Sequence, residues 1–373
     1  MDLSHIPIYD HHAHALYYEN VWRSERIEPY FTEAYDPVIL NDFVKDNLYF
    51  RRSVRDLAEF YKCEATTEAV LEARQTWNYQ ELCQTMFKAA NISHWLIDDG
   101  IWVDKLMTVE ESGAHVGVPT YRVARLETEL AKLLPNFDSP EILLSAFSEH
   151  LYKLAPSVVS FKSIIAYRTG LDITHHHLST LERTFSELKN QAKAGPVKII
   201  SKPLLDEALW VGLEVAAQTN KPIQFHTGYG DPDLNLRLAN PLHLRSIFET
   251  PALKNVNVVM LHCYPFVKEA GYLASVYAGA YLDVGLTIPY TSVHAMKTSA
   301  HEALHLSPIT KVLFSTDAQR TPEIFYLAAK WGRKVLADVL DETVENGDLT
   351  TNEAVWAAER IFRSNATELY KVG

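Results

Sequence analysis

The chain has 373 residues, 47% hydrophobic and 22% charged, with 14 Gly and 17 Pro, a composition that excludes disordered, collagen-like and disulfide-stapled classes. Its 35 Lys and Arg face 47 Asp and Glu, a formal charge of -12, which disfavours nucleic acid and leaves a small molecule as the expected partner. Three cysteines without metal-type spacing, Cys63, Cys83 and Cys263, point to a reducing compartment, and neither a leader-like N-terminus nor a run of about 18 apolar residues occurs, so a cytoplasmic protein with no membrane span is expected.

In chain order, eight short apolar or alternating runs read as strands: Ile6 to His14, Ile92 to Asp98, Tyr121 to Leu126, Val158 to Ile165, Pro222 to Thr227, Asn257 to Cys263, Ala280 to Leu286 and Val312 to Asp317. Helix-like stretches separate the later ones, which implies parallel strand–helix–strand units, and eight of them suggest closure into a barrel. No Gly/Ser linker, internal repeat or low-complexity tract marks a boundary. The expected fold is therefore α/β, a (β/α)8 TIM barrel occupying residues 1–373 as one domain. The irregular spacing after the first strand predicts a helical insertion, residues 16–90, forming a cap between strands 1 and 2 at the mouth where substrate loops belong.

The chemistry concentrates at the strand ends. The first strand closes on Asp10, His11, His12, Ala13 and His14, and residues two apart share a face, so His12 and His14 project together as half of a metal site. The fifth run ends in His226 before Gly228, the sixth in His262 and the eighth in Asp317. Each polar residue follows a run that should be buried, where an unpaired imidazole or carboxylate is costly. Four strand ends at one barrel mouth thus supply four histidines and a carboxylate.

This order of ligand-type residues resembles the amidohydrolase superfamily of metal-dependent barrel enzymes. The segments Phe161 to Ser163, His226 to Asp231 and Ser315 to Ala318 resemble its amidohydrolase-2 branch, including the amidohydrolase-like domains fused to glutamine-synthetase-like domains. The likeness runs from Pro7 to about Arg333 and leaves the insertion uncovered. It implies that His12, His14 and Asp317 bind the more buried divalent metal, with zinc the first candidate, and that His226 and His262 bind a second ion or orient substrate. Lys162, at the end of the fourth strand, is implied either as a carbamate bridging two metals or as an ammonium binding a substrate carboxylate beside one.

The implied reaction is hydrolysis of a C–N, amide-type bond by metal-bound hydroxide, with Asp317 carrying the proton and Lys162 and His262 stabilising charge. Arginines near strand ends suit an anionic, carboxylate-bearing substrate, Arg125 and Arg320 foremost, while Tyr229 and Asp231 follow a ligand strand and are expected to line the pocket. Asp98 and Asp99 end the second strand and could hold a histidine from behind. The run His175, His176 and His177 reads as a solvated surface, because consecutive residues before a helix cannot converge on one ion. A mononuclear non-oxidative decarboxylase of a small aromatic or enoic acid is the alternative, and a non-catalytic metal-binding scaffold the third reading. An oligomer is compatible with all three.

Overall fold

Eight parallel strands stand side by side in chain order: β1 (Ile8–Ala13), β2 (Ile92–Asp98), β3 (Thr120–Arg125), β4 (Ser160–Ser163), β5 (Ile223–His226), β6 (Val258–Leu261), β7 (Ala280–Asp283) and β8 (Val312–Leu313). The computed structural model describes residues 1–101, 104–192 and 198–372. All eight expected strands are present, mostly trimmed at one or both ends, because ladder pairing stops where the chain turns toward the mouth.

The sheet curls until its first and last strands meet. Beyond Leu313 the chain runs beside β1: Asp317 N donates to His12 O at 3.1 Å, His14 N to Ala318 O at 2.8 Å and Arg320 N to Ala15 O at 3.0 Å. Asp10 reinforces this seam, accepting from the Thr316 amide at 2.9 Å and from its hydroxyl. Burial pushes the Asp10 carboxyl up to about 8.

Buried parallel strands need apolar residues on both faces, and β6 supplies them. Val258 and Met260 join the layer between strands and outer helices. Val259 and Leu261 face the barrel interior with Tyr9, Leu96, Val123 and Leu313, where Ala366, Leu369 and Tyr370 of the C-terminal helix Asn365–Tyr370 fill the floor. The polar strand ends therefore occupy the opposite, open end.

Between β1 and β2 the chain carries several helical segments. Helix Tyr79–Ala90 stands in the outer ring, with Phe87 against Trp95 and Phe325 at ring separations of 5.1 and 4.8 Å. Helix Leu48–Tyr61 lies on helix Pro322–Glu345, where the Trp331 indole donates to Asp56 at 2.6 Å. A buried ion pair, Arg74 to Glu323 at 2.5 Å, ties the following helix Thr67–Gln75 to the same support. What reaches the mouth is the short irregular stretch through Pro29, Thr32, Glu33, Ala34, Tyr35 and Leu40. Within residues 16–90, the long helices thus pack on the outer elements, and residues of the short segment line the cavity at the mouth.

No helix among the described residues is long and apolar enough to cross a membrane. Cys63, Cys83 and Cys263 are all free thiols.

Candidate active site and metal centre

β1 sends His12 and His14 into the mouth, and the left-handed turn after β8 brings Asp317 (φ 47°) to meet them. Asp317 Oδ1 lies 3.2 Å from His12 Nε2 and 3.7 Å from His14 Nε2, while Oδ2 lies 3.7 Å from His262 Nε2. Lys162 on β4 places Nζ 3.1 Å from His12 Nε2. His226 packs its ring 4.7 Å from that of His262, and its Nε2 sits 3.2 Å from the Tyr229 carbonyl. His12, His14, Lys162, His226, His262 and Asp317 all line one cavity of about 460 Å³.

Burial sets the charge states. It pushes His12, His14, His226 and His262 below the ordinary imidazole value, His262 to about 4, with the nearby Lys162 charge adding to the effect. Neutral imidazole is the form that binds metal. Burial also lowers the Lys162 ammonium to about 8, toward the neutral amine.

The donor atoms of His12, His262 and Asp317 lie within 4.8 Å of one another, as do those of His12, His14 and Asp98. His12 Nδ1, His262 Nδ1 and Asp317 Oδ1 are buried without a hydrogen-bond partner. Neutral imidazoles with one carboxylate form a donor set that a divalent cation fits, and orphaned buried atoms are otherwise costly.

A polar layer behind the cluster holds it in place. His14 Nδ1 is 3.0 Å from the Asp98 carbonyl, and the Asp98 carboxylate takes a bidentate grip from Arg125, with Nη2 at 2.6 Å. Burial alone would raise the Asp98 carboxyl, but Arg125, with help from His14 and Lys162, holds it well below the usual range. Asp283, at the end of β7, accepts from the His262 amide at 3.3 Å and lies 3.2 Å from His11 Nε2. His11, which β1 turns away from His12, therefore braces the site from behind. Gly228, with φ 72°, lets the chain turn after His226, since a Cβ there would lie 2.2 Å from the Tyr264 carbonyl.

The substrate-contact expectations divide. Asp231 and Arg320 line the cavity, and the Arg320 guanidinium lies 5.7 Å from the Tyr30 ring centroid. Arg125 also lines it, but its fork is committed to Asp98 and the Gly100 carbonyl. Tyr229 is absent from the lining and meets the site through its backbone carbonyl. His175 and His176 sit apart, facing Glu207 and Asp206.

The structure adds groups that sequence reasoning passed over. Glu33 of the inserted segment lines the cavity with Oε1 buried and unpartnered, and burial, aided by the Asp317 charge, pushes its carboxyl up to about 7. The insertion has no periodicity that would have singled it out. Arg168 also lines the cavity, donates to the Tyr167 carbonyl at 3.3 Å and forms no ion pair among the described residues. Asp283 carried a usable signal, a carboxylate ending a buried strand as Asp317 ends its own run.

A family model described as Amidohydrolase matches residues 197–372, which include His226, His262 and Asp317. The Emericella nidulans protein fluG is 31% identical over 98% of this chain and 46% of its own length, so the chain spans about half of that relative. A Lactobacillus casei structure named as a metal-dependent hydrolase superposes with a TM-score of 0.87 at 29% identity, over 99% of this chain and 96% of that one. The uronate isomerase of Thermotoga maritima shares the fold at a TM-score of 0.63 and 11% identity, over 99% and 95% of the two chains. Over residues 197–372 the chain thus matches the amidohydrolase family, and over nearly its full length it is similar to a metal-dependent hydrolase.

Proposed function

We propose that this enzyme hydrolyses the C–N bond of a small carboxylate-bearing amide, with one divalent ion, zinc first among the candidates, held by His12, His14 and Asp317. The observation that carries this reading is the convergence of neutral imidazoles, Asp317 and Lys162 on one wall of a single cavity. An ion held by these residues would supply a Lewis acid for a substrate carbonyl and for the attacking water. Asp317, with Oδ1 unpartnered, takes the proton of the attacking water and passes it to the departing nitrogen. Lys162 and His262 stand beside it to stabilise the negative charge on the substrate oxygen.

We take one ion rather than two, because His226 Nε2 is turned to the Tyr229 carbonyl, the place of a substrate-orienting group. Arg168 and Arg320 are the residues for the substrate carboxylate, with Asp231 and Glu33 of the same lining as acceptors for substrate N–H or O–H groups.

A single ion beside a lysine ammonium also supports a second reading, non-oxidative decarboxylation of an aromatic or enoic acid. The test is a panel of N-acyl amino acids and aromatic acids incubated with zinc-loaded protein. Amine release without CO2 is the expected result; CO2 release without amine overturns hydrolysis in favour of the second reading.

A further inference from the structure

A chain of buried polar groups runs from the floor of the barrel to its mouth. Tyr370 lies in the C-terminal helix, and its Oη is 3.1 Å from His11 Nδ1. Gln224 Nε2 donates to the same hydroxyl at 2.8 Å and to the His11 carbonyl at 2.9 Å. The His11 and Tyr370 rings stack at 5.7 Å with planes 20° apart. On its other side His11 Nε2 lies 3.2 Å from Asp283 Oδ1. Asp283 Oδ2 accepts the His262 amide at 3.3 Å and the Ser315 hydroxyl at 3.1 Å.

One proton arrangement satisfies the whole chain. The Tyr370 hydroxyl accepts from Gln224 and donates to His11 Nδ1, and His11 Nε2–H then donates to Asp283. Its far end is a strained element: His262 and Cys263 hold φ of 68° and 61°. Left-handed backbone is costly for a residue with a side chain, and such strain persists only where the surroundings over-determine it. Asp283 grips the amide of the first strained residue, and the Thr287 hydroxyl donates to its carbonyl at 3.3 Å.

We propose that Tyr370 is a positioning residue for the metal centre, orienting His11, which fixes the Asp283 carboxylate, which in turn holds His262 against Asp317. The mouth of the barrel is thereby coupled to the C-terminal helix at its floor. Tyr370, His11 and Asp283 do not line the cavity; each acts through the next. The inference rests on the proposed metal centre, because His262 matters here as one of the groups around the ion.

The test uses the full chain and Zn2+ or Co2+ alone as probe. Apparent Kd for Zn2+ is measured by competition with a chromogenic chelator, and the visible ligand-field spectrum of the Co2+ form is recorded for Tyr370→Phe, Asp283→Asn and a control in the same helix, Glu368→Gln. Phe keeps the ring stack and removes only the hydroxyl. His262 Nε2 lies 3.7 Å from Oδ2 of the ligand Asp317, so loosening His262 disturbs that ligand from behind, and such disturbances weaken metal binding by about 10–100-fold; Tyr370→Phe is expected near the lower end, Asp283→Asn near the upper, both with altered Co2+ spectra, and the control with neither change. Wild-type Kd and spectrum in Tyr370→Phe, even with a lowered Tm, would mean a merely structural role and overturn the proposal; should Asp283→Asn fail to fold, Tyr370→Phe decides alone. A wild-type chain that binds neither ion defeats the metal reading and the inference together, whereas binding that is insensitive to both variants defeats only the inference.

Discussion

Arg125 lines the cavity and also grips Asp98, and Arg125→Met separates a substrate contact from a support for the metal centre. Both partners of its ion pair are buried, Asp98 at 0% and Arg125 at 7% side-chain exposure, with Nε at 3.2 Å from each carboxylate oxygen and Nη2 at 2.6 Å from one. Removing one member of a buried pair costs about 3–5 kcal/mol, because the other charge is left unpaired. His14 rests on the Asp98 carbonyl, so loss of that anchor should also weaken zinc binding by about 10-fold or more. Urea unfolding followed by Trp fluorescence gives the first quantity and chelator competition the second.

The pH dependence carries a sign. The Asp98 carboxyl is held below its unfolded value, so the pair stabilises above about pH 4 and that contribution is lost as pH falls toward the folded value. The deficit of Arg125→Met relative to wild type is therefore expected to be largest near neutrality and to shrink in acid. A variant that loses less than about 1 kcal/mol, binds zinc normally and shows only a raised KM would return Arg125 to the substrate and refute the reasoning.

Gly100→Ala should disturb the same fork more mildly, since a Cβ there would lie 2.6 Å from Arg125 Nε; unchanged zinc affinity would count against the coupling. Glu33→Gln should remove an ionisation near pH 7 from the kcat/KM profile of any substrate the enzyme turns over, and a profile identical to wild type would dismiss Glu33 as a proton-bearing group. For Arg74→Met the expected loss is again about 3–5 kcal/mol, with Glu323 left buried beside Tyr61; stability within 1 kcal/mol of wild type would show that the pair does not fasten the insertion. Replacing His175, His176 and His177 together with Gln should leave bound metal unchanged, and a loss of metal would place them in the centre.

The barrel was readable where a strand such as β5 or β6 is a short buried run, so that the polar residue at its end stands out against it. His226 after Phe225 and His262 after Leu261 are the clearest cases. The Arg125–Asp98 pair could not be read this way, for it depends on register: β2 and β3 pair Asp98 with Val123, which sets Arg125 two residues farther on the same face. Glu33 lies in irregular backbone, where no period marks which side chains turn inward. Tyr370 is remote in sequence from every ligand, and only the folding of the C-terminal helix into the barrel floor brings it beneath His11.

His12 and Asp317, 3.2 Å apart, are proposed to meet around a divalent ion. Metal content by plasma mass spectrometry, after zinc loading and gel filtration, tests this in the wild type and in the folded His12→Ala/Asp317→Ala double variant. About one ion per chain in the wild type and none in the variant is the expected result; no ion in the wild type, or equal loading of both proteins, would contradict it.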